Sequence, residues 1–306
     1  MDPMTQEFKP QRHVPVLPDE VVQGLEPLDG CVVADLTLGG GGHAELLAQL
    51  VGPSGRLIGI DCDAEQLERA GTRLAGLPVE LIHARFDQAG EIFRSRSLQA
   101  DLVLADLGFC SEQLDDPDRG LAFRHEGIAD MRLDRTRGEP AHRLLDRLDE
   151  RELARILWEY GEEKQSRRIA RKIVEARHER LPWTTTRLAN IVRSCLPPRF
   201  VTGRIDPATR SFQGLRIAVN DELGVLESML KQLSGMVKPG GVAAIISFHS
   251  LEDRLVKREF ARTEIWERIN RKPIEASEAE SAANPRSRDD RERPESSRSS
   301  SRRQRG

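Results

Sequence analysis

A chain of 306 residues, 38% of them hydrophobic and 24 of them glycine, is long enough for one large or two ordinary domains around a substantial core. A formal net charge of −3 excludes a protein that coats nucleic acid over its whole surface, so any polyanion has to be met by a local patch. The sequence has no membrane-length apolar run and no export signal, and Cys31, Cys62, Cys110 and Cys195 are scattered without metal or disulfide spacing, so a cytoplasmic protein with reduced thiols and no metal site is expected.

Residues 1–12 are polar, and His13 to Val22 leads into a short helix running towards Leu25, with His13 read as structural. The runs Cys31–Ala34 and Leu57–Ile60 are too short for helices and suit buried parallel strands, while Ala44–Leu50 between them has a helical pattern. This βαβ unit contains four consecutive glycines, Gly39 to Gly42. They let the backbone approach a ligand and turn into a helix whose N-terminal amides favour an anionic or electron-rich group. Asp61 closes the second strand, where a carboxylate can accept both hydroxyls of a ribose. An adenosine-type cofactor follows. Gly39-x-Gly41-x-x-Ala44 also satisfies the dinucleotide fingerprint, so at this point NAD and S-adenosylmethionine both stand.

A helix over Ala64–Leu74 and a strand over Val79–His83 come next, and Phe86 sits just past that strand, placed either to cover an adenine or to fill the core. The strand Asp101–Ala105 ends in Asp106-Leu107-Gly108-Phe109-Cys110-Ser111, delivering a second carboxylate to the crevice. From about 112 to 205 the pattern is helix after helix: Ala141–Tyr160 with a break near Asp149, Lys164–Arg180, and a third helix capped by Thr184 or Thr185 and running through Cys195.

This insert and its return segment hold the basic patch that the global charge conceals. Lys164, Arg167, Arg168, Arg171, Lys172, Arg177 and Arg180 stand against Glu175 and Glu179, and Arg193, Arg199, Arg204, Arg210 and Arg216 stand against Asp206. A solvated face mixes signs more evenly, so phosphate binding is expected, with nucleic acid as the polyanion. A single long helix beginning near Phe212 is expected to bury Leu215, Val219, Leu223, Leu226, Leu230 and Leu233, with Gln213, Arg216 and Asn220 as a polar row near the crevice. The strand Val242–Ile246 then ends in Ser247-Phe248-His249, a third polar delivery to the same sheet edge. Beyond Pro273 apolar residues nearly vanish, and disorder is expected.

Six strings, taken in order, carry a resemblance: Asp106-Leu-Gly-x-x-Ser-x-Gln-Leu-Asp115, Asp130-Met131-Arg132, Tyr160-Gly-Glu-Glu163, Pro207-Ala-Thr-Arg-Ser-Phe-Gln213, Arg216-Ile-Ala-Val-Asn-Asp-Glu-Leu223 and Ser247-Phe-His-Ser-Leu-Glu-Asp-Arg254. From His13 to about Arg288 the chain resembles the bacterial 16S rRNA cytosine N4-methyltransferase family of MraW type. The resemblance implies an α/β fold: a class I Rossmann-like S-adenosylmethionine methyltransferase sheet over residues 1–111 and 206–272. The helix-rich stretch over 112–205 becomes an all-helical substrate-recognition insert, and the composition of 273–306 leaves a disordered polar tail that departs from the family. The resemblance also implies methyl transfer to the exocyclic amine of cytosine 1402 in the decoding centre, with 16S rRNA in the small ribosomal subunit as partner. A homodimer is one oligomeric option, and the cofactor is settled as S-adenosylmethionine against NAD.

The family's cofactor contacts fall on Gly41, Gly42, His43, Asp61, Phe86, Asp106 and Gln113, the last reached through the resemblance alone. For the chemistry, Asp106 is the first candidate acceptor of the cytosine N4–H, with Asp130, His249 and Asn220 behind it. RNA contacts are assigned to Lys164, Arg167, Arg168, Arg171, Lys172, Arg210 and Arg216, and Phe109 and Phe123 are each placed either to stack on the base or to fill the core. The chain departs from the family at Phe109-Cys110-Ser111, at Leu121-Ala122, at Asp206 and after Asn284-Pro285-Arg286. A nicotinamide oxidoreductase explains the glycine loop but not the arginine-rich insert. A non-catalytic RNA-binding module explains the insert but leaves the loop, Asp61 and Asp106 without purpose.

Overall fold

A computed structural model describes residues 15–23, 28–196, 206–269, 274–275 and 298–304. After a short helix α1 (Pro18–Gln23), the chain builds five parallel strands: β1 (Val32–Asp35), β2 (Arg56–Asp61), β3 (Val79–His83), β4 (Ala100–Asp106) and β5 (Val237–Ser247). Their order across the sheet is β3-β2-β1-β4-β5. Helices α2 (Gly42–Leu50), α3 (Ala64–Arg73) and α4 (Ala89–Ser95) make the crossovers, as parallel neighbours require. The order reverses at β1, so the chain leaves β1 and β4 in opposite directions and opens a crevice at their carboxyl ends.

Successive strand residues point to opposite faces, and both faces are covered. Ala34, Ile58, Ile60, Val103 and Ala105 pack with Phe93 of α4 on one side. Val33, Leu57, Leu102 and Leu104 pack with Leu47 of α2 and Ala70 of α3 on the other. Near-continuous apolar runs in these strands are the consequence.

A third core belongs to a helical lobe. After α5 (Ser111–Asp115), this lobe is built from α6 (Ala141–Arg147), α7 (Glu150–Glu159), α8 (Ser166–Ala176) and α9 (Thr185–Ser194), around Leu145, Leu153, Leu157, Ile169, Ile173 and Leu188. The break expected near Asp149 is a capping box: the Asp149 carboxylate accepts the Glu152 N–H at 2.7 Å, and Glu152 reaches back to the Asp149 N–H at 3.4 Å. Thr184 caps α9 through the Arg187 N–H at 3.2 Å. The lobe core also takes Ala208, Phe212 and Leu215 from beyond residue 205, where the insert was expected to end.

The single long helix expected from Phe212 is two helices, α10 (Ala208–Asn220) and α11 (Glu222–Met236). Asp221 between them is left-handed, φ 51° and ψ 39°, a conformation that Asp tolerates better than most residues. The apolar stripe survives the break because it serves two cores: Leu215 packs in the lobe, and Leu226, Leu230 and Leu233 pack on the sheet.

After β5, α12 (Ser250–Phe260) returns over the sheet face. The polar tail differs in part from expectation. Residues 276–297 lie outside the described residues, whereas β8 (Arg298–Gln304) pairs antiparallel with β5 and with β6 (Trp266–Arg268), and β7 (Ile274–Glu275) also pairs with it. Ladder pairing is made by backbone groups, so a Ser- and Arg-rich segment can occupy it. His13, Arg199 and Arg204 lie outside the described residues. Among the described residues no helix is long and apolar enough to cross a membrane.

Candidate active site

Three adjacent parallel strands, β1, β2 and β4, end in Asp35, Asp61 and Asp106. The glycine loop is tied to this rim, because Gly39 N–H donates to Asp61 Oδ2 at 2.7 Å and Asp63 N–H donates to Asp61 Oδ1 at 2.8 Å. Thr37 straps the other two acids: its N–H donates to Asp35 Oδ1 at 3.2 Å and its Oγ1 accepts the Asp106 N–H at 2.6 Å. His43, in the first turn of α2, places Nε2 3.7 Å from Asp106 Oδ2, and both side chains are nearly enclosed. Gly41 has φ +80° and a Cβ there would meet Leu74 at 3.3 Å, so both backbone and space call for glycine. Gly41, Gly42, His43, Asp61 and Asp106 are thus brought together, with Phe86 half-buried just beyond β3.

Electrostatics single out Asp35, which was not among the sequence candidates. Burial pushes its carboxyl up to about 7, with Asp106 and Asp61 adding to the rise and the Thr37 N–H opposing it. Burial likewise lifts Asp61 to about 6 against the N–H groups of Asp63 and Gly39. Carboxylates gathered this closely are stabilised by a cationic ligand. Asp35 meets the criterion that selected Asp61 and Asp106, the end of a buried strand, but the first strand was read as closing at Ala34.

Gln113 fastens the loop after β4 to the start of α3. Its Nε2 donates to Asp63 Oδ2 at 2.7 Å and its Oε1 accepts the Cys110 N–H at 2.9 Å. Arg119, 1% exposed, completes this hub: Nη1 lies 2.6 Å from Asp63 Oδ2, and Nη2 donates to Asp63 Oδ1 at 3.0 Å and Glu65 Oε2 at 2.8 Å. The helical lobe is therefore clasped directly behind the strand that ends in Asp61. Nothing local in the sequence announces a pairing of residues so far apart.

The remaining catalytic candidates are engaged by the protein itself. Burial would raise the Asp130 carboxyl, but Arg132, bidentate at 2.8 Å on both oxygens, holds it below the usual carboxylate range. Asn220 clamps a loop to α10, donating to Met131 O at 2.8 Å and Arg216 O at 2.9 Å and accepting the Leu133 N–H at 2.8 Å. His249 does reach the same sheet edge, yet its Nδ1 faces the Glu252 N–H at 3.4 Å and its Nε2 lies 3.2 Å from Glu252 Oε1. Glu222, His249 and Glu252 bring ligand atoms within 4.8 Å of one another, but this cluster carries its own cation. Arg216 donates to both oxygens of Glu222 at 2.8 and 2.9 Å.

That pairing changes the role expected of Arg216, which is enclosed and salt-bridged where a phosphate contact was anticipated. Within the patch, Lys172 pairs with Glu175 at 2.8 Å and Arg171 lies 3.5 Å from Glu150. Lys164, Arg167, Arg168 and Arg210 are exposed. They flank a loop that reaches the sheet: Ser250 Oγ donates to Glu162 Oε1 at 3.3 Å, and a Cβ on Gly161 would fall 2.4 Å from Arg210 O. Phe123 packs edge-on against Phe212 at 5.1 Å within the lobe, which leaves Phe109 as the aromatic on the β4 loop. A cleft lined by Leu144, Arg155, Ile156, Tyr160 and Leu223 shares no residue with the carboxylate rim.

With this geometry in hand, comparison with known proteins is specific. The model of the MraW methylase family matches residues 10–293. Ribosomal RNA small subunit methyltransferase H of Sorangium cellulosum (strain So ce56) is 46% identical over 282 residues, covering 91% of this chain and 88% of the relative. The protein of the same name from Geobacter sp. (strain M21) is 44% identical over 297 residues, covering 90% and 95%. A solved rRNA methylase from Streptococcus thermophilus is 9% identical with a TM-score of 0.43, covering 94% of both chains.

Proposed function

The chain belongs to the MraW methylase family, and from that premise we propose that it transfers the methyl group of S-adenosylmethionine to small-subunit ribosomal RNA, at N4 of cytosine 1402 in the decoding centre. The observation that carries this reading is the rim of Asp35, Asp61 and Asp106 around the glycine loop. Its donors fit the cofactor: Asp61 stands where a ribose is held, the loop offers backbone N–H groups, and the buried acids favour a cationic sulfonium and ammonium over the pyrophosphate of NAD.

When bound, S-adenosylmethionine supplies an electrophilic methyl on a positively charged sulfur. The work left to the protein is positioning and proton handling. The lone pair of cytosine N4 is delocalised into the ring, and a carboxylate accepting N4–H favours the pyramidal nitrogen needed for in-line attack. Asp106 takes that role, its backbone held by Thr37 and its carboxylate beside His43. Lys164, Arg167, Arg168 and Arg210 hold phosphates flanking a cytosine drawn out of its stack.

Small subunits lacking the modification, incubated with the protein and isotopically labelled cofactor, test the assignment. The label is expected in N4-methylated cytosine 1402 by mass mapping, and label at another nucleotide or ring position overturns it.

A further inference from the structure

Phe109 lies three residues beyond Asp106 on the loop that leaves the carboxyl end of β4, and it is half-buried. Arg216 of α10 lays its guanidinium over that ring, Cζ standing 4.6 Å from the centroid. The guanidinium is not a swinging phosphate hook, because Glu222 fixes it in a bidentate pair whose side chains are 12% and 10% exposed. Glu222 itself joins the His249 and Glu252 cluster at the end of β5. The preceding residue, Gly108, has φ +97°, and a Cβ there would touch the Phe248 ring at 3.5 Å. The Phe109 ring is therefore carried on the β4 loop and backed by a guanidinium from α10 that is itself fixed by Glu222.

We propose that Phe109, backed by Arg216, is the stacking platform for the target pyrimidine, and that Arg216 acts as a positioning residue. This rests on the methyltransferase reading above. Phe109 stands three residues from Asp106 on the same loop, so a base whose N4 meets Asp106 is within reach of its ring. A ring pinned by a flat, salt-bridged guanidinium offers a stacking face whose order is built in before the base arrives, so little freedom is lost on binding. Glycine at 108 gives the loop the positive φ that its turn requires.

The test uses the full-length protein and unmodified small subunits. Phe109→Leu is expected to lower kcat/KM for the subunit by about 5- to 100-fold, the scale of one stacked base, while calorimetric affinity for S-adenosylmethionine stays within about two-fold. Phe109→Trp is expected to retain most of the rate, and its added indole fluorescence to be quenched by a decoding-centre RNA hairpin beyond the quenching of the wild-type protein. Arg216→Lys, which keeps charge but loses the fork and the flat face, should fall between wild type and Phe109→Leu. An unchanged kcat/KM in Phe109→Leu overturns the proposal, as does an equal loss of cofactor affinity, which would make Phe109 a cofactor-loop residue. A wild-type protein that transfers no methyl to subunits fails differently, removing the functional reading and this inference with it.

Discussion

Asp61 accepts the Gly39 N–H at 2.7 Å, joining the end of one strand to the glycine loop that leaves its neighbour. The bond makes the loop's shape depend on the acid proposed to hold the ribose. Asp61→Ala is expected to lower affinity for S-adenosylmethionine by more than ten-fold, through the lost acceptor and the loosened loop together. Asp61→Asn, which keeps an oxygen for Gly39, should lose less. Isothermal titration of both variants separates the two contributions.

Asp35 is a stability liability retained at the rim. Its folded value of about 7 lies above the 3.8 of an unperturbed group, so the native state binds the proton more tightly than the unfolded chain. The stability it contributes is complete below about pH 4 and is lost as pH rises through about 7. Asp35→Asn should therefore stabilise the cofactor-free protein at pH 8 by roughly 1–4 kcal/mol, with the gap narrowed at pH 5 and closed only below about pH 4. The same variant should bind S-adenosylmethionine more weakly at pH 8. Urea denaturation at the two pH values and calorimetry at pH 8 check both signs.

Arg119 is the opposite case. Removing its guanidinium leaves Asp63 and its neighbours buried without their cation, so Arg119→Met is expected to destabilise by roughly 3–5 kcal/mol. Arg119→Lys keeps the charge but not the fork, and should recover part of the loss by the same urea measurement.

The exposed cations predict a salt signature. Replacing Lys164, Arg167, Arg168 and Arg210 together with Ala should flatten the dependence of RNA affinity on salt by up to about four phosphate contacts. Arg216→Lys should leave that slope unchanged, because Arg216 faces Glu222 and Phe109. Affinity for a decoding-centre RNA measured across a salt series distinguishes the two.

Much of this was legible in local pattern. Apolar runs placed the parallel strands, four glycines placed the loop, and Asp149 and Thr184 announced helix starts by their own side chains. What escaped depended on geometry that periodicity does not encode. The stripe from Leu215 to Leu233 runs unbroken through Asp221, so a single helix hid the turn that brings Glu222 back to Arg216. Asp35 was missed by one residue of strand length, and Arg119 with Asp63 by a pairing 56 residues apart. Gln113 came from family resemblance, and only the structure shows it tying Cys110 to Asp63.

The central claim is that acids ending adjacent strands form the seat of a cationic methyl donor. Calorimetric titration of the wild-type protein with S-adenosylmethionine and, separately, with NAD tests it most directly. The account predicts saturable binding of S-adenosylmethionine that weakens as pH falls from 8 towards 5.5, as Asp35 and then Asp61 take up protons, and no heat from NAD. Binding of NAD, or S-adenosylmethionine affinity that is indifferent to pH over this range, would contradict it.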